Sequence, residues 1–300
     1  MKGIILAAGQ GTRLYPASLP ISKILLPIYD KPMIYYPMST LMLAGIKDVL
    51  IITNETDFDN FKKLFGDGSQ FGMNIEYKIQ YIQRGIADAF IIAEDFINND
   101  DVALILGDNI FHGFGFSTMM QNAIKTNSGA TVFGYKVKDP ERFGVVEFDS
   151  NKKAISLEEK PQKPKSKYAV TGLYFYDKNV CEYAKQLVPS ARGELEITDL
   201  NKIYLEKGLL NVEILGRGFT WLDTGTHDSM LQASNFIQSM ELNKGEKIAC
   251  LEEIALNHGF ITSSELENQI SKYGNKNSYF NYVSDIIKEK RDKVKFFCVK

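Results

Sequence analysis

The sequence is poor in several residue types that would mark out a class of protein at once. Cysteine occurs only at Cys181, Cys250 and Cys298. Three such distant thiols make neither a disulfide framework nor a clustered thiolate site, and a reducing compartment is expected. His112, His227 and His258 are equally scattered. None has His-x-x-x-His spacing, so no zinc cluster is expected and each reads as a surface or locally satisfied group. No apolar run approaches the roughly 18 residues of a membrane span. The run 4–8 is too short for a secretory leader and is followed by glycines and an arginine. A soluble cytoplasmic protein is expected. An excess of charge is also missing: Lys and Arg total 35 against 37 for Asp and Glu, a net charge of -2. That balance argues against a broad nucleic-acid footprint, while leaving room for a local basic patch.

What is present describes an ordinary globular chain. Hydrophobic residues are 44% and charged residues 24%. With 300 residues the chain supports one large domain or two modest ones, and buries about three quarters of its unfolded surface. The aromatics read as core stock.

Short apolar runs alternate with helical periodicity in the first half. Strands are expected at 3–7, 48–53, 75–79 and 102–106, the last a near-continuous apolar run of the kind buried on both faces. Helices are expected at 32–44, 57–64 and 87–96, with Pro37 complicating the first. Strand, helix and strand in repeated right-handed crossovers give an α/β layered domain. After about residue 129 the rhythm changes. Strands are expected at 129–137, 143–148, 154–157 and 169–175, either added to the same sheet or forming a small antiparallel layer, with 160–165 a polar surface loop. Beyond Trp221 the pattern is mostly helical. The tail from Lys288 carries mixed charge with a basic excess, read as a solvated helix end, with contact to an anionic surface as the rival.

The stretch 6–13, Leu-Ala-Ala-Gly-Gln-Gly-Thr-Arg, follows the first strand, where a parallel sheet offers its carboxyl-end crevice to ligands. Gly9 and Gly11 allow close backbone approach, and Arg13 has the planar fork that holds two phosphate oxygens. An ordinary glycine turn is the rival reading. A dinucleotide fingerprint would need glycine where Leu14 stands, which disfavours an NAD oxidoreductase, and no Gly-Lys-Ser/Thr of a P-loop occurs. Lys23 is a phosphate ligand or a lysine snorkelling over apolar neighbours. Asp108 ends a buried-looking strand and Asp223 lies in a glycine-bearing turn, so each reads as a metal ligand or as a capping or turn residue.

These motifs have company. The stretches Tyr-Asp-Lys-Pro-Met-Ile-Tyr-Tyr-Pro at 29–37, Leu-Gly-Asp-Asn at 106–109 and Phe-Gly-Val-Val-Glu-Phe at 143–148 join Leu-Glu-Glu-Lys-Pro at 157–161. Ala-Arg-Gly-Glu-Leu-Glu-Ile-Thr at 191–198 and Trp-Leu-Asp-Thr-Gly-Thr-His at 221–227 complete the series. Together, in this order and across the chain to about residue 285, they resemble the sugar nucleotidyltransferases, and among them the thymidylyltransferases. The resemblance implies a Rossmann-like three-layer α/β fold with a mixed, mainly parallel sheet, sugar-binding β insertions and a C-terminal helical appendage. It implies a catalytic domain at 1–240, with a nucleotide part at 1–128 and a sugar part at 129–225, and an oligomerisation and regulatory appendage at 241–300. The implied reaction joins dTTP to glucose 1-phosphate, giving dTDP-glucose and diphosphate for a dTDP-sugar pathway such as that to rhamnose. The chain would work as a homotetramer with Mg²⁺.

The same resemblance assigns roles. Arg13, Lys23, Asp108, Lys160 and Asp223 form the catalytic set, with Mg²⁺ between Asp108 and Asp223. Leu6, Ala8, Gly9, Gly11 and Thr12 cradle the nucleotide phosphates, while Gln80, Gly85 and Ile86 contact the base. Gly144, Val170 and Gly172 line the sugar pocket, Glu159 accepts hexose hydroxyls and Lys160 holds the sugar phosphate. Arg192 adds charge there or pairs with Glu194 or Glu196. Trp221 packs under the sugar or fills the core. Departures from the thymidylyltransferase pattern fall at Ile24, where glutamine is usual, and at Ala8, where glycine is usual. They keep UTP or another hexose 1-phosphate as alternatives, and a non-catalytic nucleotide-sugar sensor remains a third reading. Arg217 and 250–255 resemble the family's effector region, but His112, Phe114, Asn257 and His258 depart from it.

Overall fold

A computed structural model describes residues 1–150, 153–273 and 277–298. The side chains of 292–298 and the last two residues of the basic tail lie outside the described set, as does the thiol of Cys298. The strands are β1 (Lys2–Leu6), β2 (Pro27–Ile28), β3 (Lys31–Pro32), β4 (Asp48–Thr53), β5 (Asn74–Ile79), β6 (Val102–Leu106) and β7 (Asn109–Gly113). They continue with β8 (Ala130–Lys136), β9 (Gly144–Phe148), β10 (Ala154–Glu159), β11 (Tyr168–Tyr176), β12 (Leu210–Leu215) and β13 (Phe219–Asp223). The helices are α1 (Tyr35–Leu43), α2 (Phe58–Phe65), α3 (Asp88–Ile92), α4 (Glu94–Ile97), α5 (Phe116–Thr126) and α6 (Val180–Lys185). After them come α7 (Ile197–Glu206), α8 (His227–Lys244), α9 (Leu251–Asn257), α10 (Ser263–Ile270) and α11 (Ser278–Cys298).

Among the described residues a nine-stranded sheet runs β10-β9-β11-β6-β1-β4-β5, with β8 paired to β11 and β12 to β8. The four strands β6, β1, β4 and β5 are parallel, and β11 joins β6 antiparallel. The fold is thus a Rossmann-like α/β layering with a mixed sheet and a helical C-terminal region. Period-two alternation sends Ile4, Leu50, Ile52 and Leu104 to one face, and Ile5, Ile51 and Ile105 to the other. Helices α3, α4, α6 and α7 cover the first face. The second is covered by α1, α2 and α5 with the C-terminal helices, so both faces are buried. Each such side chain contributes about 1.5–3 kcal/mol, which is why these strands carry almost no polar residues.

The later strands extend the same sheet rather than forming a separate layer. Helix α9 packs onto α1, and Leu251, Leu256, Leu266 and Val283 enter the core that holds Leu41. Pro37 is accommodated because it lies in the first turn of α1, where backbone N–H groups have no helical partner. The helix expected over 87–96 is instead two, α3 and α4, broken at Ala93 with ψ 4°. Elements without a sequence forecast are the β2–β3 hairpin, α5, α6, α7, β12 and the ribbon of β7 with β13.

Candidate active site

The carboxyl ends of β1, β4, β5 and β6 open on one edge of the sheet, and the loops leaving them build the site. The loop after β1 bends at Gly11, whose φ of 64° is left-handed and where a β-carbon would stand 3.0 Å from Lys23 Cβ. Lys23 begins a short 3-10 turn capped by Ser22, whose Oγ accepts from Ile24 N at 3.3 Å. Ser22 N in turn donates to the buried Asp57 carboxylate at 2.9 Å. The turn aims Lys23 across the strand ends, where its ammonium pairs with Asp108 Oδ2. Lys23 is therefore neither a surface group nor a snorkelling one: its side chain is 12% exposed.

Asp108 sits between β6 and β7. Its backbone oxygen accepts from Thr224 N at 3.1 Å and Thr224 Oγ1 at 2.7 Å, and Asn109 Nδ2 donates to its Oδ1 at 2.9 Å. Burial works against ionisation of Asp108, but the Lys23 charge and hydrogen bond, with Asn109 and its own backbone N–H, win and hold its carboxyl below the usual range. Asp223 is brought alongside by the β7–β13 ribbon, in which it pairs with Asn109. Burial and the neighbouring Asp108 push its carboxyl up, with Lys23 and Arg13 opposing. The two carboxylates stand together at the head of one ribbon, where Lys23 and Arg13 offset their negative charge.

Asn109 holds the floor. Its Oδ1 accepts from Trp221 Nε1 at 2.6 Å and from Gly172 N at 3.0 Å, tying β7 to β13 and β11. Trp221 meets the rings of Phe143 and Tyr135 at centroid distances of 5.1 and 5.9 Å. It lines the site and fills core at once.

A cavity of about 260 Å³ opens over this floor, and its wall includes Arg13, Ile86, Asp108, Gly144, Glu159, Lys160, Val170, Gly172, Trp221 and Asp223. Arg13 reaches it past Gly225, where a β-carbon would stand 2.9 Å from Nη2. Of the two glutamates at the end of β10, Glu159 faces the cavity, and Thr198 Oγ1 donates to its Oε2 at 2.5 Å. Lys160 Nζ lies 3.5 Å from Glu159 Oε1.

Other expected residues lie off that wall. Arg192 pairs with Glu196, with contacts of 2.8 and 2.9 Å, and stands 3.6 Å from Glu159. Leu6, Ala8, Gly9 and Thr12 follow the glycine loop beyond the cavity. Gln83 Nε2 donates to Ala8 O at 2.7 Å and bridges that loop to the segment after β5. Gln80 is buried there, and its Nε2 donates to Asp88 Oδ2 at 3.0 Å. Gly85, at φ 101°, is required by packing: a β-carbon would stand 2.5 Å from Leu195 O. Ile24 is 2% exposed and lies under Gly107.

Sequence reasoning missed Asn109, Thr198, Gln83 and Arg142. Arg142 also lines the cavity and bonds Asp139 Oδ2 at 2.6 Å. Its position two residues before Gly144 was the available signal. A second, larger pocket of about 510 Å³ lies between β7, α8 and α9, where His112, Phe114, Lys244, Asn257 and His258 meet. Burial lowers the proton affinity of both of its imidazoles. Arg217 is exposed in the turn before β13 and does not line this pocket.

Comparison with known proteins fits this geometry. A nucleotidyl transferase family profile matches residues 2–240. The glucose-1-phosphate thymidylyltransferase of Neisseria meningitidis serogroup A is 58% identical over 289 residues, covering 96% of this chain and 100% of that relative. The chain belongs to the glucose-1-phosphate thymidylyltransferase family. It is a nucleotidyltransferase of that family by the same measure. A Bacillus anthracis structure named for that activity and complexed with sucrose has a TM-score of 0.72 at 44% identity, covering 79% of this chain and 94% of its own. A UDP-glucose pyrophosphorylase bound to UDP-glucose shares the fold at 23% identity, with TM-score 0.71 and coverage of 80% and 98%.

Proposed function

We propose that the chain joins glucose 1-phosphate to dTTP, giving dTDP-glucose and diphosphate. The observation that carries this reading is that Lys23 and Arg13 face the paired carboxylates Asp108 and Asp223 beside a sugar-sized cavity whose wall also holds Lys160, Glu159, Gly144 and Gly172. A phosphate oxygen of the sugar phosphate is already a nucleophile. It forms a bond to the α-phosphorus of the nucleotide while the bond to the bridging oxygen breaks and diphosphate leaves with that electron pair. No proton need move, so the protein's task is alignment and charge neutralisation.

Lys160 would hold the sugar phosphate and Glu159, fixed by Thr198, the hexose hydroxyls. Arg13 and the Gly9–Gly11 backbone would take the β- and γ-phosphates. Lys23 would exchange Asp108 for the transferring and leaving phosphates. Among the described residues no group of three or more metal-type ligands occurs. Two carboxylates nevertheless suit Mg²⁺, which keeps water and takes its other oxygens from phosphate. Asp108 and Asp223 would hold it, and when bound it supplies charge neutralisation at the phosphates. Gln80 would meet the base edge, aided by Gly85 and Ile86.

The same reading has the chain acting in the cytoplasm as a homotetramer, with the exposed Phe114, Leu231 and Leu242 offering apolar surface for assembly. Ile24 puts an apolar side chain where the family's glutamine would meet the base, which keeps UTP as the rival nucleotide. A matrix of nucleoside triphosphates against sugar 1-phosphates, read by diphosphate release with Mg²⁺, tests this. Highest kcat/KM with dTTP and glucose 1-phosphate is expected. Preference for UTP or another hexose supports the rival, and no release with any pair supports a sensor.

A further inference from the structure

A carboxylate lies sealed beneath the base side of the crevice, and the chemistry above does not use it. Asp88 opens α3 and is 1% exposed. Its Oδ1 accepts from Arg84 Nη2 at 2.8 Å and its Oδ2 from Gln80 Nε2 at 3.0 Å. A carboxylate of this kind only accepts, and a guanidinium only donates. Gln80 is thereby left one orientation, with its amide nitrogen toward Asp88 and its Oε1 away from it. That oxygen takes no hydrogen bond from a described residue, yet it is not an enclosed orphan: among the described residues those are Thr53 Oγ1 and Thr171 Oγ1. Gln80 as a whole is 6% exposed, and this orientation leaves Oε1 as its group free to accept from a ligand.

We infer that Asp88, anchored by Arg84, is a positioning residue that selects the nucleobase by fixing the Gln80 amide. The inference rests on the reading that Gln80 meets the base. An amide oxygen held there accepts from a ring N–H, as at N3 of thymine or uracil. Cytosine presents a lone pair at N3, and two acceptors would face each other. The choice among pyrimidines is thus made by a side chain that never touches one.

Asp88→Asn keeps the shape and reverses the logic. Arg84 still needs an acceptor and takes the new carbonyl oxygen, which turns the new NH₂ toward Gln80. The Gln80 amide then has to turn over and show its own NH₂ to the base. The ratio of kcat/KM for dTTP over dCTP, with glucose 1-phosphate, is expected to fall by at least about tenfold. Adding Arg84→Ala releases the anchor, lets the amides turn back and restores part of the ratio; a merely structural role would not recover on a second truncation. Asp88→Ser, whose hydroxyl donates or accepts, should also lower the ratio and serves if D88N does not fold. Gln80→Leu runs in parallel. If Q80L collapses the ratio while D88N and D88S leave it unchanged, Gln80 meets the base but Asp88 does not set it, and the inference is overturned. If Q80L itself leaves the ratio unchanged, the base contact fails and the inference falls with it.

Discussion

Replacing Asn109 by alanine removes three hydrogen bonds from the floor under Asp108. Two of them, from Gly172 N and Trp221 Nε1, end on Oδ1, so truncation strands two donors in a region where Trp221 is 8% exposed. Each orphaned donor costs about 1–3 kcal/mol, for a loss of roughly 2–6 kcal/mol against a total stability on the order of 10 kcal/mol. For a chain of this size that is a melting shift on the order of 10 °C. Asn109→Asp separates the two duties of the residue: both donors keep their acceptor, but Asp108 loses a donor and gains a negative neighbour. N109D should therefore hold more of its stability and less of its turnover than N109A does. Trp221 is the single tryptophan, so its emission reports on the floor directly and should shift in N109A. A melting point within about 2 °C of the parent, with unchanged Trp221 emission, would refute the reasoning.

Two further outcomes follow from buried charge. Asp223 has its proton affinity raised by burial and by Asp108, so the folded state binds more protons than the unfolded state above about pH 3.8. Its contribution to stability falls as pH rises through that window. Asp108, depressed by Lys23, contributes in the opposite sense: its stabilisation is present above about pH 3.8 and is lost as pH falls through its lowered folded value. Asp223→Asn should therefore melt higher than the parent without ligand, by a margin that widens from about pH 4 upward, while diphosphate release collapses; melting curves across pH check this, and a lower melting point at neutral pH would contradict it. Lys31 and Glu241, 3% and 7% exposed, pair at 2.8 Å and join the β2–β3 hairpin to α8. Glu241 also holds Lys247 at 3.3 Å and accepts from Ile248 N at 2.9 Å, so Lys31→Met alone should cost only about 1–3 kcal/mol, whereas adding Lys247→Met, which leaves the carboxylate without a cation, should raise the loss to about 3–5 kcal/mol or more, as chemical denaturation of the single and double variants would measure.

The sequence made some elements legible to the residue and hid others, for physical reasons. Strands at 48–53 and 102–106 are apolar runs bounded by charge or glycine, and they match β4 and β6 at both ends. The break at Ala93 was invisible, because the apolar face continues through α3 and α4. The β7–β13 ribbon pairs Asn109 with Asp223, a partnership across more than a hundred residues that no local pattern announces. Asp108, Asp223, Glu159 and Lys160 could be picked out because the family's motifs surround them. Asn109 escaped because two of its three hydrogen bonds go to distant neighbours, Gly172 and Trp221. Arg192 was ambiguous in sequence because its carboxylate partners are close along the chain, and the nearer geometry went to Glu196.

The seam between β6 and β11 has one more consequence. Strand β6 is zipped on one side to β1 and on the other to β11, with four Cα pairs from Leu173–Ile105 to Tyr176–Val102. Nucleotide-side and sugar-side strands therefore share a single plank, and a clamshell motion between them would have to unzip it. Traffic into and out of the crevice is left to its rim: the glycine loop, the segment from Gln80 to Ile86 latched by Gln83, and the Asp139–Arg142 turn. Widening the crevice thus falls to small backbone adjustments at its rim, with the walls held as one piece.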